Sequence, residues 1–258
     1  MGDKVFENPK DEEILQRIIE FCGTDENDIV LDFFSGSATT AHALFLANVN
    51  QQKYRHFILV QIAEEIDPQK STSEKSKKVA KSAIELLDSI HAPHNICEIG
   101  KERIRRAGRK IKEDAGLTAP ADLDIGFRCL RLDSSNMENV YYTPEETQQQ
   151  DLFSLVDNVK PDRTSEDLLF QVMLDLGVLL SSPIETMEIS GKKVFNVANG
   201  FLLACFDHDV TDETVKAIAQ MKPYYAVFRD SSMVNDSVAT NFDQIFETYS
   251  PDTVRKVL

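Results

Sequence analysis

Asp32-Phe33-Phe34-Ser35-Gly36-Ser37-Ala38-Thr39-Thr40 is the stretch whose residue types and spacing could do chemistry. It closes an apolar run, Ile29-Val30-Leu31, and leads into Ala41-His42-Ala43-Leu44-Phe45-Leu46. That order predicts a buried strand, a tight glycine turn and the first turn of a helix. Such a turn points free backbone N–H groups and the positive end of a helix at a ligand. Gly36 lets a ligand lie close to the backbone, because no Cβ intervenes. Asp32 ends the strand, well placed for an amine or a hydroxyl. A nucleotide-like ligand with a charged end fits this set.

Two weaker features flank the turn. Downstream lies a second apolar run, Phe57-Ile58-Leu59-Val60-Gln61-Ile62, followed by Ala63-Glu64-Glu65. An acid at the end of the second strand of a doubly wound sheet commonly takes a ribose diol. Glu64 is assigned that role, with Glu65 as the alternative. Upstream lies Phe6-Glu7-Asn8-Pro9-Lys10. Pro9 holds the chain extended before a helix expected over Asp11–Cys22, and Lys10 sits where it could meet a carboxylate.

Taken in order, these elements resemble the amino-methyltransferases that modify adenine in DNA. More narrowly, the sequence resembles the C-terminal part of the modification (Mod) subunit of type III restriction–modification systems. Ile99-Gly100-Lys101-Glu102-Arg103-Ile104-Arg105-Arg106-Ala107, Asp124-Ile125-Gly126-Phe127-Arg128 and Asp167-Leu168-Leu169-Phe170 extend the likeness along most of the chain. The resemblance implies that the turn, Asp32, Phe33, Phe34, Ser35, Gly36, Ser37, Ala38, Thr39 and Thr40, binds S-adenosylmethionine. It implies that Asn8, Pro9 and Lys10 line the methionine end. It also implies a homodimer, a restriction subunit as partner, and DNA as substrate.

Two departures qualify the likeness. The family's second turn glycine is Ala38, expected to be tolerable if that position is already helical. The family also needs a D-P-P-Y-type motif, which holds the amino group of a flipped adenine while the aromatic ring stacks on the base. No Pro-Pro occurs, and Asp67-Pro68-Gln69-Lys70 lacks the aromatic. In this subclass that motif and the target-recognition region precede the cofactor motif. The expectation is therefore an N-terminally truncated methyltransferase, inactive alone, contacting DNA through the missing region. No catalytic residue is assigned.

Residues 1–112 carry 17 Lys+Arg against 18 Asp+Glu, whereas residues 113–258 carry 11 against 25. Phosphate-backbone affinity comes largely from Lys and Arg, so the acidic half does not suit DNA binding. A rival reading follows, in which the chain is a non-enzymatic interaction module holding partner subunits. A nicotinamide-dependent oxidoreductase fits less well, because the turn lacks G-x-G-x-x-G spacing. Lys101, Arg103, Arg105, Arg106, Arg109, Lys110 and Lys112 spread around a helix, which suggests solvation or pairing with the acidic half rather than one DNA stripe. His91, His94 and Cys97 do not match a closed zinc pattern, and no metal is assigned. No apolar stretch approaches a membrane span, and scattered Cys22, Cys97, Cys129 and Cys205 read as reduced thiols of a cytoplasmic protein.

Helix and strand alternate through the first part, with a long helix around Ser73–His91. This predicts α/β architecture: a partial Rossmann-like, S-adenosylmethionine-dependent methyltransferase sheet with helices on both faces. The expected division is residues 1–116 for the cofactor-binding part and 117–258 for a smaller mixed α/β domain with an association or support role. In the latter, a strand is expected over Phe127–Leu132 and a helix or connection over Glu145–Gln150. A helix over Ser165–Leu176 should follow, and strands joined by Gly191 and by Asn199-Gly200, the second a strong hairpin signal. Helix Asp212–Met221, strand Tyr224–Phe228, helix Phe242–Tyr249 and strand Val254–Leu258 complete the expected pattern.

Overall fold

The computed structural model describes residues 4–116, 123–138, 158–232 and 236–258, with side chains of 236–240 left aside. The chain divides into two compact units, Met1–Arg128 and Cys129–Leu258.

The first unit opens with α1 (Glu12–Phe21), capped by Asp11, whose carboxylate accepts from Glu13 N and Ile14 N. Then come β1 (Ile29–Asp32), α2 (Thr39–Gln51) and β2 (His56–Leu59). β1 and β2 are parallel, with Ile29 opposite His56 and Asp32 opposite Leu59. A crossover through α2 is what parallel pairing requires. Ile19 and Leu15 of α1 pack with Ala43, Leu44 and Ala47 of α2, Val30 and Phe57. α3 (Glu74–Ser89) and α4 (Ile96–Ala115) follow, capped by Ser73 and Asn95. The apolar stripe of α4, Ile104, Ala107 and Ile111, closes on Ala41 and Phe45 of α2.

Among the described residues, helices cover one face of this sheet and not the other. Val30, Phe57 and Leu59 point into the helical layer, while Ile29 is 57% exposed, Leu31 49% and Ile58 50%. The strand expected over Phe127–Leu132 is also absent from the described residues. Leu123, Ile125 and Phe127 do alternate inward, but onto the cluster around α4 rather than into a sheet. Leu132 is 99% exposed. Alternation recorded a half-buried extended segment, and the chain met helix side chains instead of a strand edge.

The second unit holds α5 (Ser165–Asp175), β3 (Ile184–Ile189), β4 (Lys192–Val197), β5 (Leu202–Cys205), α6 (Asp212–Gln220), β6 (Tyr225–Phe228), α7 (Asp236–Tyr249) and β7 (Val254–Val257). They form one sheet in the order β3-β4-β5-β6-β7. β3, β4 and β5 are antiparallel neighbours, whereas β5, β6 and β7 are parallel and joined through α6 and α7. The Asn199-Gly200 turn joins β4 to β5, with Ala198, Asn199 and Gly200 all at positive φ. Thr164 and Asp167 close a reciprocal capping box at the start of α5. One face of the sheet packs Leu202, Ala204 and Val227 with Leu168, Leu169 and Met173 of α5. The other packs Leu203, Cys205 and Phe228 with Val215 and Ile218 of α6 and Phe242 and Phe246 of α7. The expected Glu145–Gln150 segment lies outside the described residues.

Candidate functional site

The turn after β1 is held mainly by its own side chains. Asp32 accepts from Thr40 Oγ1 at 2.6 Å and from Phe34 N at 3.1 Å. Its carboxylate thus ties the end of the strand to the first turn of α2. Ser35 N donates to Val60 O at 3.3 Å, and Ala38 N donates to Ser35 O at 2.7 Å. Gly36 N donates to the Gln61 side-chain carbonyl at 2.7 Å. The sequence suggested N–H groups free for a ligand. Several are engaged, one of them by a glutamine read only as part of an apolar run.

Gly36 sits at φ +50, where an L side chain is strained, and a Cβ there would stand 3.2 Å from Phe6 Cζ. Phe6 is thus packed against the turn. The adjoining Asn8, Pro9 and Lys10 are exposed, on the approach to α1. Phe33 and Phe34 are also exposed.

Ala38 corrects an expectation. It is not helical but left-handed, at φ 56 and ψ 36, and forms the N-cap of α2 without a side-chain hydrogen bond. A non-glycine residue in that region costs about 1–2 kcal/mol. The methyl gives something back, because Ala38 is buried against α4. A Cβ added at Gly100 would lie 3.5 Å from the Ala38 Cβ and 3.4 Å from Gly36 O. Gly100 therefore lets α4 approach the turn.

Arg103 of α4 completes the support. Its guanidinium donates to Ser37 Oγ at 3.1 Å, Thr39 Oγ1 at 2.8 Å and Glu12 Oε2 at 3.2 Å. Burial lowers its pKa from the usual arginine value, opposed by Glu12, yet a guanidinium stays charged. Five of the seven basic residues of that cluster pair inside their own unit. Lys101 meets Glu98, and Arg105, Arg106 and Arg109 converge on Glu102. Nothing in the sequence marked Arg103 off from its neighbours, because its partners lie far away along the chain.

Glu64 is exposed on a braced segment beyond β2. Its carbonyl accepts from Ile96 N at 3.0 Å, at the start of α4. Glu65 forms an isolated antiparallel bridge with Asn95. Ile66 N donates to His94 O at 2.9 Å. The structure therefore brings Asp32, the Gly36 turn and the Glu64 segment to the same end of two neighbouring parallel strands. Ser37, Thr39 and Thr40 turn their hydroxyls inward to support the turn. His94 of the histidine-rich loop bonds Asp88 at 2.7 Å.

Residues 2–70 match the model of the DNA methylase family. The type III restriction-modification enzyme StyLTI Mod subunit of Salmonella typhimurium is 35% identical over 130 residues, which cover 50% of this chain and 17% of that protein. The EcoP15I Mod subunit of Escherichia coli is 30% identical over 220 residues, covering 83% and 28% respectively. The EcoPI Mod subunit of Escherichia phage P1 is 28% identical over 222 residues, covering 85% and 30%. The chain thus spans less than a third of the length of these relatives. The resemblance read from the sequence holds: this chain is a relative of the Mod subunits of type III restriction–modification enzymes, and its first unit carries the stretch that matches the DNA methylase family.

Proposed function

We propose that this chain is the S-adenosylmethionine-binding part of a site-specific adenine-N6 DNA methyltransferase of the Mod type. The observation that carries this reading is the glycine turn at the end of β1. Gly36 is left-handed, the Asp32 carboxylate is locked onto Thr40, and Glu64 lies exposed beyond the neighbouring parallel strand. A parallel sheet offers its ligand site at the carboxyl ends of its strands. The bound cofactor supplies the methyl group. On this reading Gly36 admits it close to the backbone, and Phe33 and Phe34 provide apolar wall. Glu64 accepts from the ribose hydroxyls, and Asn8, Pro9 and Lys10 bound the methionine end. Asp32, Ser37, Ala38, Thr39 and Thr40 keep the turn in shape.

The exposed Ile29, Leu31 and Ile58 support a Rossmann-like sheet that is completed by further polypeptide. That polypeptide would carry the D-P-P-Y-type motif and most of the DNA contacts, so the present chain alone transfers no methyl group. The working division is residues 1–116 for cofactor binding and 117–258 for association or support, in a cytoplasmic enzyme. One observation favours association by the second part: Phe201 and Tyr224 stack at 5.1 Å on an exposed end of its sheet, beside Met221 and Val254, which are also exposed. Exposed apolar clusters of this kind commonly mark interaction sites. A second copy and the restriction subunit are the partners proposed.

Calorimetry of the chain with S-adenosylhomocysteine, with NAD as control, tests the reading. Saturable binding of the first alone is expected, and Gly36→Val should abolish it while the fold persists. Unchanged affinity in that variant places the ligand elsewhere, and binding of NAD instead overturns the cofactor assignment. Labelled methyl transfer to mixed DNA by the purified chain should stay at background; turnover above it would refute the division of labour.

A further inference from the structure

A cavity of about 360 Å³ opens on the helix side of the turn. Phe6, Leu86, Ile99 and Ala107 form apolar wall, drawn from the N-terminal segment, α3 and α4. Lys4, Arg103, Arg106 and Lys110 also line it. Pro9 and Ser37 line it too, whereas Asp32, Gly36 and Glu64 do not, so it adjoins the strand-end site described above without coinciding with it.

The charges around it do not cancel. Glu102 is the acid in the lining, and its carboxylate is taken by Arg106 Nε at 2.7 Å with Arg105 and Arg109 both at 3.8 Å. Arg103 is paired with Glu12. Lys4 and Lys110 have no carboxylate partner among the described residues, and both are exposed at the mouth. Inside, His42 contributes a buried Nδ1 with no hydrogen-bond partner among the described residues. A buried polar atom left unpaired costs free energy that a ligand's polar group can recover. Apolar walls with few convergent polar groups, at this volume, describe a small-molecule site.

We propose that this cavity binds a small organic anion with a flat apolar body, its carboxylate or sulfonate held between Lys4 and Lys110 and its body against Phe6 and Leu86. The site adjoins the proposed cofactor site, shares Pro9 and Ser37 with it, and takes a second ligand.

The test uses the full chain with indole-3-acetate as probe and indole-3-acetamide as its neutral isostere, by calorimetry at low salt. Saturable one-to-one binding of the acid is expected, with the amide roughly tenfold weaker or more. Lys4→Glu combined with Lys110→Glu should weaken the acid roughly tenfold or more. Leu86→Trp should fill the cavity and abolish binding at an unchanged melting temperature. Should that variant melt early, the charge reversal decides, since both of its positions are exposed. Excess S-adenosylhomocysteine should leave the acid bound. Four results would each overturn the proposal: no saturable binding of the acid, equal affinity for acid and amide, indifference to the charge reversal, or displacement by S-adenosylhomocysteine, which would assign the cavity to the cofactor.

Discussion

The two units present parallel strands to very different surroundings. In the second, Leu202, Leu203, Ala204 and Cys205 of β5 are all 0% exposed, because α5 covers one face and α6 and α7 the other. In the first, among the described residues, β1 and β2 have helices on one face only, and alternate residues are exposed. Apolar burial contributes roughly 25 cal/mol per Å². A strand buried on both faces therefore secures its unit far more than one buried on a single face. The site segments lie at the less protected sheet. Low-stability regions are where binding segments are commonly drawn from.

The largest test of this contrast is Phe228→Ala. Phe228 is fully buried against Phe242 and Phe246, with ring centroids 5.2 Å and 6.4 Å away. Its truncation should destabilise the second unit by about 3–5 kcal/mol, read by denaturant unfolding. Arg103→Met comes next. It removes donors to Ser37 and Thr39 and the partner of Glu12, so the first unit should lose roughly 1–3 kcal/mol. Cofactor binding should weaken with it if the turn is the site.

A pH series should separate the units further. Burial, then Arg103, then Lys110, lower the His42 pKa, and Glu12 opposes them. The folded state therefore resists taking a proton that the unfolded chain accepts near pH 6.5. The first unit should lose stability as the pH falls below about 6.5, and His42→Gln should flatten that slope. In the second unit Asp167 is lowered by hydrogen bonds from the Thr164 backbone and hydroxyl. Its contribution is present above the ordinary aspartate range and disappears only as the pH falls through the lower folded value. Melting curves from pH 7 to 3 should show the first unit weakening at the higher pH. Ile58→Thr, on the open face of β2, should move stability by only about 0.5 kcal/mol. A loss of several kcal/mol would mean that this face is covered in solution.

The order of elements was legible because helix and strand periods differ and the turns carry strong signals. The Asn199-Gly200 signal worked locally, within a few residues. Burial on the second face was not legible. Ile29-Val30-Leu31 reads as a buried run whether or not anything covers Ile29 and Leu31, since the run records what a strand is suited to and not what packs on it. The strand expected over Phe127–Leu132 failed similarly, because alternation does not distinguish a strand partner from a helix. Of the candidate site, the glycine turn and its terminal acid were visible. Gln61 and Arg103 were not, because each acts over 25 or more residues of sequence. The left-handed Ala38 was hidden by composition, since alanine ordinarily signals helix.

The bracing of Glu64 bears on motion. Glu64 O and Ile66 N are hydrogen-bonded to the chain around the start of α4, and Cys97 Sγ lies 3.4 Å from Gln61 O. A segment without regular secondary structure would ordinarily open on its own and exchange its amide hydrogens quickly. Here the amides of Ile66 and Ile96 can open only by parting the loop from the beginning of a twenty-residue helix. Their deuterium uptake should therefore follow that of the first turns of α4 rather than that of a surface loop. Glu64 thus offers a side chain free to rotate on a backbone as slow as the helix that holds it.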